Sequence, residues 1–495
     1  MKLLFASSEV VPFSKTGGLA DVAGALPREI SKLGAEVCVF MPGYSTISKD
    51  IAFEDVGLEI PVSIGMKEVT GRLLKASLPN SNVTVYAVDQ PGYFDRSGLY
   101  GQGGRDYEDN CERFVFFCRS VLESIRLLDW WPELIHVNDW QSSLIPAYLK
   151  TEFAGMPGYE NIATLLTIHN LAYQGSFWHW DMLLTGLDWK YFNWQQMEFY
   201  GRLNLLKSGI VFADAINTVS PTYAAEIQTP EHGCGLEGVL QHRQNVLSGV
   251  LNGIDASEWN PATDQYIAVN YDVDSWQQGK LACKSALLGE RGIQPQDDVP
   301  VIGVIGRLAS QKGWSLILQI MKFWLRDHNA IWVVLGTGSP EYESELSELA
   351  RQYPGNLALE IGFSNELAHQ IEAGSDLFLM PSQYEPCGLN QQYSLAYGTV
   401  PVVRATGGLA DTVNNATEEN IGNGNANGFM FTDFEGDSLN AALSRAISMY
   451  NDQPEVWGQL VANGMRQDWS WASSAKKYFR LYEKTVAREF SSSHG

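Results

Sequence analysis

The sequence predicts an α/β protein with two large domains, each built on a parallel β-sheet that helices cover on both faces. At 495 residues, the chain is too long for a single hydrophobic core. Short, wholly apolar runs alternate with helical patterns along both halves, which is typical of strands buried on both faces. A segment rich in Gly, Asn, Asp and Pro, "SGVLNGIDASEWNPATD", separates the halves and predicts a hinge.

The apolar runs give the predicted strands in order. Those of the first half are "KLLFAS", "EVCVFM", "VTVYAV", "LIHVND", "TLLTIHN" and "DAINTVS". Those of the second half are "VPVIGVIGR", "AIWVVLG", "LALEIGF", "DLFLMPS" and "VPVVRA". We place the first domain over residues 1–248, the hinge over 249–258 and the second domain over 259–472. The last segment, 473–495, predicts an amphipathic helix whose many aromatic side chains must be buried against another surface.

Charge and composition exclude several classes of function. The net charge is −23, from 34 Lys and Arg against 57 Asp and Glu, which argues against nucleic acid and anionic membranes as partners. No stretch approaches the roughly 20 apolar residues of a membrane span. The apolar start "MKLLF" is too short for a signal peptide and predicts a first strand. Six scattered cysteines without paired spacing indicate reduced thiols. We therefore expect a cytoplasmic protein.

One hexapeptide, TGGLAD, occurs twice, at residues 16–21 and 406–411. Each copy follows a predicted strand and precedes a helical pattern, where open parallel sheets bind ligands. Adjacent glycines such as Gly17 and Gly18 let the backbone turn sharply and approach a ligand closely. If the two domains face each other, both turns line one cleft.

Longer motifs identify a family. "KTGGLADVAGALP" and "EPCGLNQQYSLAYGTVPVVRATGGLADTV" resemble the bacterial glycogen synthases and plant starch synthases. The agreement continues through "HVNDWQSSLIPAYL", "TIHNLAYQG", "INTVSPTYAAEI", "LNGID" and "GRLASQKGWSLI", so it covers essentially the whole chain. This resemblance implies glycosyltransferase family 5 and a GT-B fold, in which two Rossmann-like domains face a deep cleft and the last helix packs back on the first domain.

The resemblance also implies an activity: transfer of glucose from ADP-glucose to the non-reducing end of an α-1,4-glucan, with retention of the anomeric configuration. It implies no cofactor, and no zinc-type ligand cluster or metal-held diphosphate pattern is evident in the sequence. Cations must then stabilise the charge that develops on the departing diphosphate. If the chain is a mature plant protein, the expected location becomes the plastid stroma.

Three cations are the predicted phosphate ligands: Lys15, beside the first glycine turn, and Arg307 and Lys312 in "GRLASQKG". Any of them alone would more simply be a solvated surface charge. Together, in the family pattern, they indicate a diphosphate clamp, with Arg suited to bidentate contact and Lys to a point charge. A front-side transfer follows as a hypothesis, since no covalent nucleophile is evident: the leaving phosphate helps to deprotonate the acceptor 4-hydroxyl.

Glu385 in "SQYEPCGLNQQ" follows a predicted strand, where a carboxylate can accept hydrogen bonds from glucose hydroxyls. The family makes this glutamate essential, although a helix-start glutamate also simply complements the helix dipole. The residues Cys387, Gly388, Leu389 and Asn390 are predicted to bind the donor, with N–H groups at the start of a helix facing phosphate. Many relatives of this fold have a second glutamate eight residues after the first; Tyr393 stands there, as in starch synthases.

The remaining site predictions come from the resemblance. His169 would lie beside the anomeric carbon, with its backbone carbonyl facing developing positive charge. Asp139 and Trp140 are the predicted acceptor-binding pair, a sugar-hydroxyl acceptor and a stacking platform. The other predicted donor-binding residues are Gly17, Gly18, Asp21, Asn252 and Phe363, the last stacking near adenine.

Four tryptophans, Trp178, Trp180, Trp189 and Trp194, crowd one short stretch. Core packing is the favoured interpretation and a share in the glucan groove the alternative. An NAD-dependent dehydrogenase is excluded because neither glycine turn has the full G-x-G-x-x-G spacing. The alternative function is a glucan-binding scaffold of the same fold with weak catalysis, although all the predicted clamp residues are present.

Overall fold

The structure, a computed structural model, describes residues 1–48, 51–296, 298–327 and 330–492. The chain forms two compact units. The first comprises Met1–Val219, Ala224–Val250 and the chain from Trp471, and the second comprises Ser220–Tyr223 and Leu251–Ser470. The passage at residues 250 and 251 falls inside the predicted hinge; the hinge and the domain limits stay predictions. The end of the predicted last segment, 493–495, lies outside the described residues.

The first unit is built on a nine-stranded sheet, with small two- and three-stranded sheets beside it. Its strands are β1 (Lys2–Ala6), β2 (Glu36–Pro42), β3 (Glu54–Ile64), β4 (Lys67–Ser77), β5 (Thr84–Asp89), β6 (Gly101–Gln102), β7 (Arg105–Asp106), β8 (Leu134–Asn138), β9 (Ala163–Ile168), β10 (Ser176–Phe177), β11 (Glu198–Phe199), β12 (Arg202–Asn204), β13 (Ala215–Thr218) and β14 (Leu247–Gly249).

The order across the large sheet is β14-β13-β9-β8-β1-β2-β5-β4-β3. From β14 to β5 the neighbours are parallel, with β1 paired to both β2 and β8, so the chain order reverses between β1 and β8. This is the doubly wound Rossmann order. All six predicted strands of this half are confirmed. The antiparallel pair β3 and β4 was not predicted because its residues alternate between exposed and buried positions and form no apolar run.

The second unit has six parallel strands in the order β17-β16-β15-β18-β19-β20, again the Rossmann order, with its reversal between β15 and β18. The strands are β15 (Val301–Ile305), β16 (Ile331–Gly336), β17 (Leu357–Ile361), β18 (Leu377–Met380), β19 (Val400–Arg404) and β20 (Phe429–Phe431). Alternate residues of β15 and β16 enter two different apolar clusters, which places a core on each face of the sheet. The five predicted strands are confirmed.

Helices follow the strands in both units. They are α1 (Gly18–Lys32), α2 (Pro91–Phe94), α3 (Asn110–Leu127), α4 (Asp139–Ser142), α5 (Leu144–Lys150), α6 (Met182–Thr185), α7 (Leu205–Phe212), α8 (Pro221–Glu226), α9 (Glu237–His242), α10 (Trp276–Glu290), α11 (Trp314–Asp327), α12 (Pro340–Gln352), α13 (Asn365–Gly374), α14 (Asn390–Ala396), α15 (Gly407–Thr412), α16 (Glu418–Gly422), α17 (Gly436–Asp452), α18 (Pro454–Met465) and α19 (Trp471–Ser492). No helix among the described residues is long and apolar enough to cross a membrane.

The last helix, α19, belongs to the first unit and packs against α1 and β9. Its aromatic side chains Tyr478 and Tyr482 are fully buried. The Tyr482 hydroxyl lies 2.9 Å from Nδ1 of His136, and the Asn217 amide donates to the Tyr478 hydroxyl at 3.1 Å. The aromatic residues at the carboxyl terminus thus close the core of the first unit and give their hydroxyls partners there.

The tryptophan-rich stretch departs from the core packing favoured by the sequence. Trp178, Trp180, Trp189 and Trp194 are 59%, 49%, 42% and 74% exposed. The stretch has two short 3-10 helices, His179–Asp181 and Trp189–Tyr191, and only a four-residue α-helix between them. It therefore lacks a long helical or strand face that would turn all four rings inward.

Candidate active site

In each unit, several of the predicted site residues lie where the strand order reverses. In the first unit, the loop after β1 carries Lys15, and Asp139 follows the neighbouring β8. In the second unit, the loop after β15 carries Arg307 and Lys312, and Glu385 follows the neighbouring β18. The reversal opens a crevice beyond the carboxyl ends of the strands, because the two adjacent loops lead to opposite faces of the sheet.

The first glycine turn is held by Glu9, a buried residue that the sequence analysis did not single out. Its carboxylate accepts hydrogen bonds from the Thr16 N–H at 2.5 Å, the Thr16 hydroxyl at 2.6 Å and the Gly17 N–H at 3.1 Å. The Tyr100 hydroxyl donates to it at 2.7 Å. Four donors compensate the burial of this carboxylate. The available sequence signal was an acidic residue three positions after an apolar first strand.

Lys15 and Asp21 flank this turn and pair with each other. Lys15 Nζ lies 2.7 Å from Asp21 Oδ1, and the lysine side chain is 55% exposed. Burial raises the pKa of the Asp21 carboxyl, and the Lys15 ammonium opposes that shift. A pair this exposed is weakly held, so Lys15 is free to exchange Asp21 for another anion.

Asp139 is buried and has a left-handed backbone, with φ of +52°, which is unusual for a residue other than glycine. Its Oδ1 accepts from the His169 backbone N–H at 2.7 Å. Burial raises the pKa of this carboxyl to about 7, although the N–H groups of His169 and Asn170 favour its ionised form. The sequence predicted the residue but gave no sign of this pKa.

His169 follows β9, the strand next to β8. Its Nε2 lies 2.9 Å from the side-chain oxygen of Asn138, whose amide group donates to the Ala6 carbonyl. Because that oxygen can only accept, Nε2 carries the proton and Nδ1 is left as an acceptor. Burial lowers the pKa of the imidazole to about 3, so the ring is neutral at ordinary pH.

Trp140 is only 9% exposed. Phe114 and Phe177 pack edge-on to it, with ring centroids 4.8 and 5.6 Å away. Most of its ring is therefore covered by its own unit, and the prediction that it stacks on the acceptor remains untested.

The second unit contains a cavity of about 360 Å³ that brings together seven of the predicted site residues. Its lining includes Arg307, Lys312, Phe363, Glu385, Gly388, Leu389 and Asn390. Gly306, Trp314 and Ser382 also line it and were not predicted. Asn252 and Cys387, which were also predicted to bind the donor, are buried and are not among the described residues that line this cavity.

The charged centre of this cavity is the pair Lys312 and Glu385. Lys312 Nζ lies 2.6 Å from Glu385 Oε2, and the Ser382 hydroxyl donates to the same oxygen at 2.9 Å. Glu385 is buried and Lys312 is partly exposed. With both bonds on Oε2, the other carboxylate oxygen can accept from a ligand.

Arg307 and Phe363 are the exposed parts of the lining. Arg307 is exposed, with one long contact of 3.4 Å to Gln311. Phe363 is 89% exposed, which is unusual for a phenylalanine in a cavity wall. Both side chains can cover a ligand without breaking a buried interaction.

The second glycine turn, at residues 406–411, packs against the backbone that carries Glu385. A Cβ added to Gly407, whose φ is +45°, would lie 1.9 Å from the Glu385 carbonyl oxygen. One added to Gly408 would lie 2.0 Å from the Cys387 carbonyl oxygen. The Gly408 N–H also donates to the Glu385 carbonyl at 3.1 Å. The turn thus fixes the backbone that presents the Glu385 carboxylate.

Two buried polar groups lie beside this backbone. Burial raises the pKa of the Cys387 thiol to about 12, so the thiol stays protonated. The side-chain oxygen of Asn252 is buried without a hydrogen-bond partner among the described residues. No group of three or more His, Cys, Asp or Glu side chains in the described ranges could hold a metal ion.

Known proteins share this fold. The family described as the starch synthase catalytic domain matches residues 2–242, and the glycosyl transferases group 1 family matches residues 290–460. The catalytic domain of starch synthase IV from Arabidopsis thaliana, solved with ADP and acarbose, has a TM-score of 0.88 at 30% identity, over 98% of this chain and 99% of that one. A sucrose-phosphate synthase from Thermosynechococcus elongatus has a TM-score of 0.58 at 15% identity, over 98% and 99% of the two chains, and agrees in fold alone. The fold and the two crevices define a glycosyltransferase of the GT-B class.

Two relatives identify the family within this class of glycosyltransferases. The glycogen synthase of Rhodopirellula baltica is 47% identical over 98% of each chain. That of Syntrophotalea carbinolica is 47% identical over 98% of this chain and 99% of its own. The chain belongs to the glycogen and starch synthase family, and its function is glycogen or starch synthesis.

Proposed function

We propose that the protein transfers glucose from ADP-glucose to the non-reducing end of an α-1,4-glucan and retains the anomeric configuration. The observation that carries this proposal is the second unit's cavity, where Arg307, Lys312 and Glu385 meet around about 360 Å³. The similar starch synthase IV, 30% identical, was solved with ADP and acarbose, a nucleoside diphosphate and a sugar chain. A cavity that joins two cations to one carboxylate suits a ligand with a diphosphate at one end and hydroxyls at the other.

In this proposal the donor's diphosphate is bound by Arg307 and Lys312. An arginine can meet two phosphate oxygens side by side, and the Lys312 ammonium keeps two donors besides the one directed at Glu385. Phe363 covers the adenine, which would remove its exposed ring from water. Backbone groups of Gly388, Leu389 and Asn390 complete the donor site, supported by Asn252 and Cys387.

The sugar is oriented by Glu385. Its Oε2 is held by Lys312 and Ser382, so its other oxygen accepts from a glucose hydroxyl. Because the second glycine turn fixes its backbone, the carboxylate needs little reorganisation when the donor binds. In the first unit, Lys15 exchanges Asp21 for an anionic oxygen of the donor, beside the backbone of Gly17 and Gly18.

The bond between the anomeric carbon and the phosphate oxygen breaks, and its electron pair leaves with ADP. Arg307 and Lys312 stabilise that negative charge. On the same face, the acceptor 4-hydroxyl forms the new bond and passes its proton to the leaving phosphate oxygen. His169 stays neutral, so it adds no positive charge beside the cationic sugar. The Asp139 carboxylate accepts from an acceptor hydroxyl, with Trp140 beside it.

The test is transfer of labelled glucose to maltotriose, with ADP-glucose and UDP-glucose compared at equal concentration. We expect elongation from ADP-glucose, a strong loss in Glu385→Ala, and no loss in Glu348→Ala, which removes an exposed carboxylate of the same unit. A preference for UDP-glucose would contradict the assignment of ADP-glucose as the donor. Glucan binding without elongation from either donor would indicate the scaffold function, and a trapped glucosyl-enzyme would exclude front-side transfer.

A further inference from the structure

Three aromatic rings stack on one another inside the second unit, near its cavity. The indole of Trp259 lies between the imidazole of His369 and the phenol ring of Tyr393. Both of these ring centroids are 3.8 Å from that of Trp259, and the interplanar angles are 11° and 12°. We call these three residues the ring stack. Contacts so close and so nearly parallel mean that the indole fills the space between the other two rings.

The ring stack joins the two helices that begin at the cavity. His369 is the fifth residue of α13, and Tyr393 is the fourth residue of α14. At a rise of about 1.5 Å per residue, each ring leaves its helix roughly one turn after the first residue. The thickness of the Trp259 indole therefore sets the separation of α13 and α14 close to their amino-terminal ends.

The starts of both helices contribute to the lining of the cavity. The lining includes Phe363, Ser364 and Ala368 at α13 and Leu389 and Asn390 at α14. The Ser364 side chain caps α13 by accepting from the Leu367 N–H at 3.2 Å. The Asn390 amide donates to the Ile305 carbonyl at 2.9 Å. Because each part of the lining is tied to its helix, the width of the cavity depends on the separation of the helices.

Hydrogen bonds fix the orientation of the imidazole in the stack. His369 is fully buried, and its Nδ1 lies 2.7 Å from the buried Asp264 carboxylate, which also accepts from the Tyr397 hydroxyl at 2.6 Å. The imidazole cannot turn out of the stack without losing this bond. The Ser394 hydroxyl of α14 donates to Glu372 of α13 at 2.7 Å. This bond comes after the ring stack along both helices, so the stack is the link nearer to the cavity.

The segment that carries Trp259 is also fixed. The Trp259 N–H donates to the Asp255 carbonyl at 2.8 Å, and the Asp255 carboxylate accepts from the Ser257 N–H at 2.9 Å. On the other side of Trp259, the Asn270 amide donates to the Asp264 carbonyl at 2.7 Å. The indole is thus presented by an ordered backbone and can act as a spacer of constant thickness.

We propose that Trp259 is a positioning residue for the donor nucleotide: its indole sets the separation of α13 and α14 and, through them, the width of the cavity. This inference rests on the proposed function, since the nucleotide is that of the donor. Trp259 is not among the described residues that line the cavity, so it acts through the two helices. Without the indole, the His369 and Tyr393 rings close part of the gap, and the two parts of the lining shift relative to each other.

The test is the binding of ADP, measured by isothermal titration calorimetry with no acceptor present. Trp259→Leu keeps apolar bulk but removes the flat ring, so the Kd for ADP should rise roughly tenfold or more, since a displacement of about 1 Å is costly. Tyr393→Leu opens the stack from the other side and should have a similar effect. Trp259→Phe keeps a flat ring between the other two and should stay within about threefold of the wild type.

The matched control is Trp457→Leu. It removes a tryptophan of α18 in the same unit that is only 6% exposed and that packs on Phe429 and Tyr450. The free energy of unfolding should fall in this variant, and the Kd for ADP should stay at the wild-type value. An equal loss of ADP binding in Trp457→Leu and Trp259→Leu would indicate a general loss of stability and would overturn the positioning role.

Kinetics add a second measurement. In Trp259→Leu, the KM for ADP-glucose should rise and the KM for maltotriose should not change, because the predicted acceptor residues belong to the first unit. A wild-type Kd for ADP in Trp259→Leu would overturn the proposal. Equal losses in Trp259→Phe and Trp259→Leu would overturn it as well, because a flat ring would then not be what matters.

The wild type decides the proposed function separately. If it binds ADP without elongating maltotriose, the transfer activity is wrong, and the titration of the variants still decides the role of Trp259. If it elongates from UDP-glucose in place of ADP-glucose, the assigned donor is wrong, and the same variants titrated with UDP decide that role. A wild type that binds neither nucleotide would overturn both proposals.

Discussion

The two copies of TGGLAD are identical in sequence and differ in what surrounds them. The first copy, at residues 16–21, follows β1, the strand at which the order of its sheet reverses. The second, at residues 406–411, follows β19, one strand away from the corresponding reversal. The loop that corresponds to the first copy in the second unit is the one after β15, which carries Arg307 and Lys312. The repeat in sequence is thus not a repeat in structure.

Their glycines also meet different constraints. A Cβ on Gly17 or Gly18 would have no atom within 4 Å, whereas one on Gly407 or Gly408 would overlap backbone carbonyl oxygens. The first turn has an extended backbone at Gly17, with φ of −151°, and a carboxylate, Glu9, to hold it. The second is held by contact with the chain at Glu385. We infer that the first pair of glycines leaves room for a ligand and the second leaves room for the protein itself.

The largest expected effect tests this difference directly. Gly408→Ala should lower the free energy of unfolding by about 3 kcal/mol or more, because the new methyl overlaps the Cys387 carbonyl. Gly18→Ala should change it by about 0.5 kcal/mol or less and should instead weaken ADP-glucose binding. Urea unfolding and donor titration of both variants check this. Equal losses of stability would contradict the comparison.

The next effect concerns the carboxylate that the second turn presents. Lys312→Ala should lower kcat/KM for ADP-glucose roughly ten- to a hundredfold, since a charge-assisted contact contributes about 1.5–3 kcal/mol. Lys312→Arg should also be impaired, because a planar fork does not replace a point charge 2.6 Å from Glu385. Lys322→Ala, an exposed lysine of α11, is the control. Unchanged kinetics in Lys312→Ala would remove this residue from the site.

The corresponding test for the first turn is Glu9→Gln. The new amide NH2 would face either the N–H groups of Thr16 and Gly17 or the hydroxyls of Thr16 and Tyr100, so two of the four donors would lose their acceptor. We expect a loss of about 1–3 kcal/mol in unfolding free energy and a fall in kcat/KM. Glu59→Gln, an exposed position of β3, should change neither. If Glu9→Gln matched the wild type, the carboxylate would not be what holds the turn.

The last expected effect is a pH dependence beside the first turn, which is small near neutrality and grows as the pH falls. The pKa of Asp139 is raised by burial from 3.8 to about 7, so the folded protein releases this proton only near neutrality. In the proposed function the ionised form accepts the sugar hydroxyl, so kcat/KM should fall about tenfold per pH unit below about 7. Asp139→Asn should be far less active, and its kcat/KM should not show this decrease at low pH. If the decrease persists in the variant, it belongs to another titrating group.

The raised pKa of Asp139 also makes the stability of the fold depend on pH. An acid whose pKa is higher in the folded state stabilises the fold while it is protonated. This contribution is complete below the unfolded pKa of 3.8 and is lost as the pH rises through about 7. Asp139→Asn should therefore gain thermal stability relative to the wild type between pH 5 and pH 8. A difference in Tm that is independent of pH would contradict the shifted pKa.

Local sequence was enough to identify the strands and the loops that carry charge. Every predicted strand lies in the parallel part of one of the two large sheets, because a strand buried on both faces must be apolar throughout. The strand–glycine–helix pattern likewise placed Lys15, and the family motif placed Glu385. The half-exposed strands β3 and β4 were missed because their exposed and buried positions alternate and form no apolar run.

Tertiary structure decided what depends on distant neighbours. No local pattern distinguishes exposed tryptophans from buried ones, and Trp178 and Trp189 are exposed because short 3-10 turns leave their rings without a covering element. One of the four donors to the buried Glu9 carboxylate, the Tyr100 hydroxyl, comes from 91 residues away. By itself, the sequence determined the α/β class, most of the parallel strands, the family and the identity of the charged loops. Only the folded chain decided the pKa of Asp139, the partners of Glu385 and the different tasks of two identical turns, because burial and close packing arise from residues far apart in the chain.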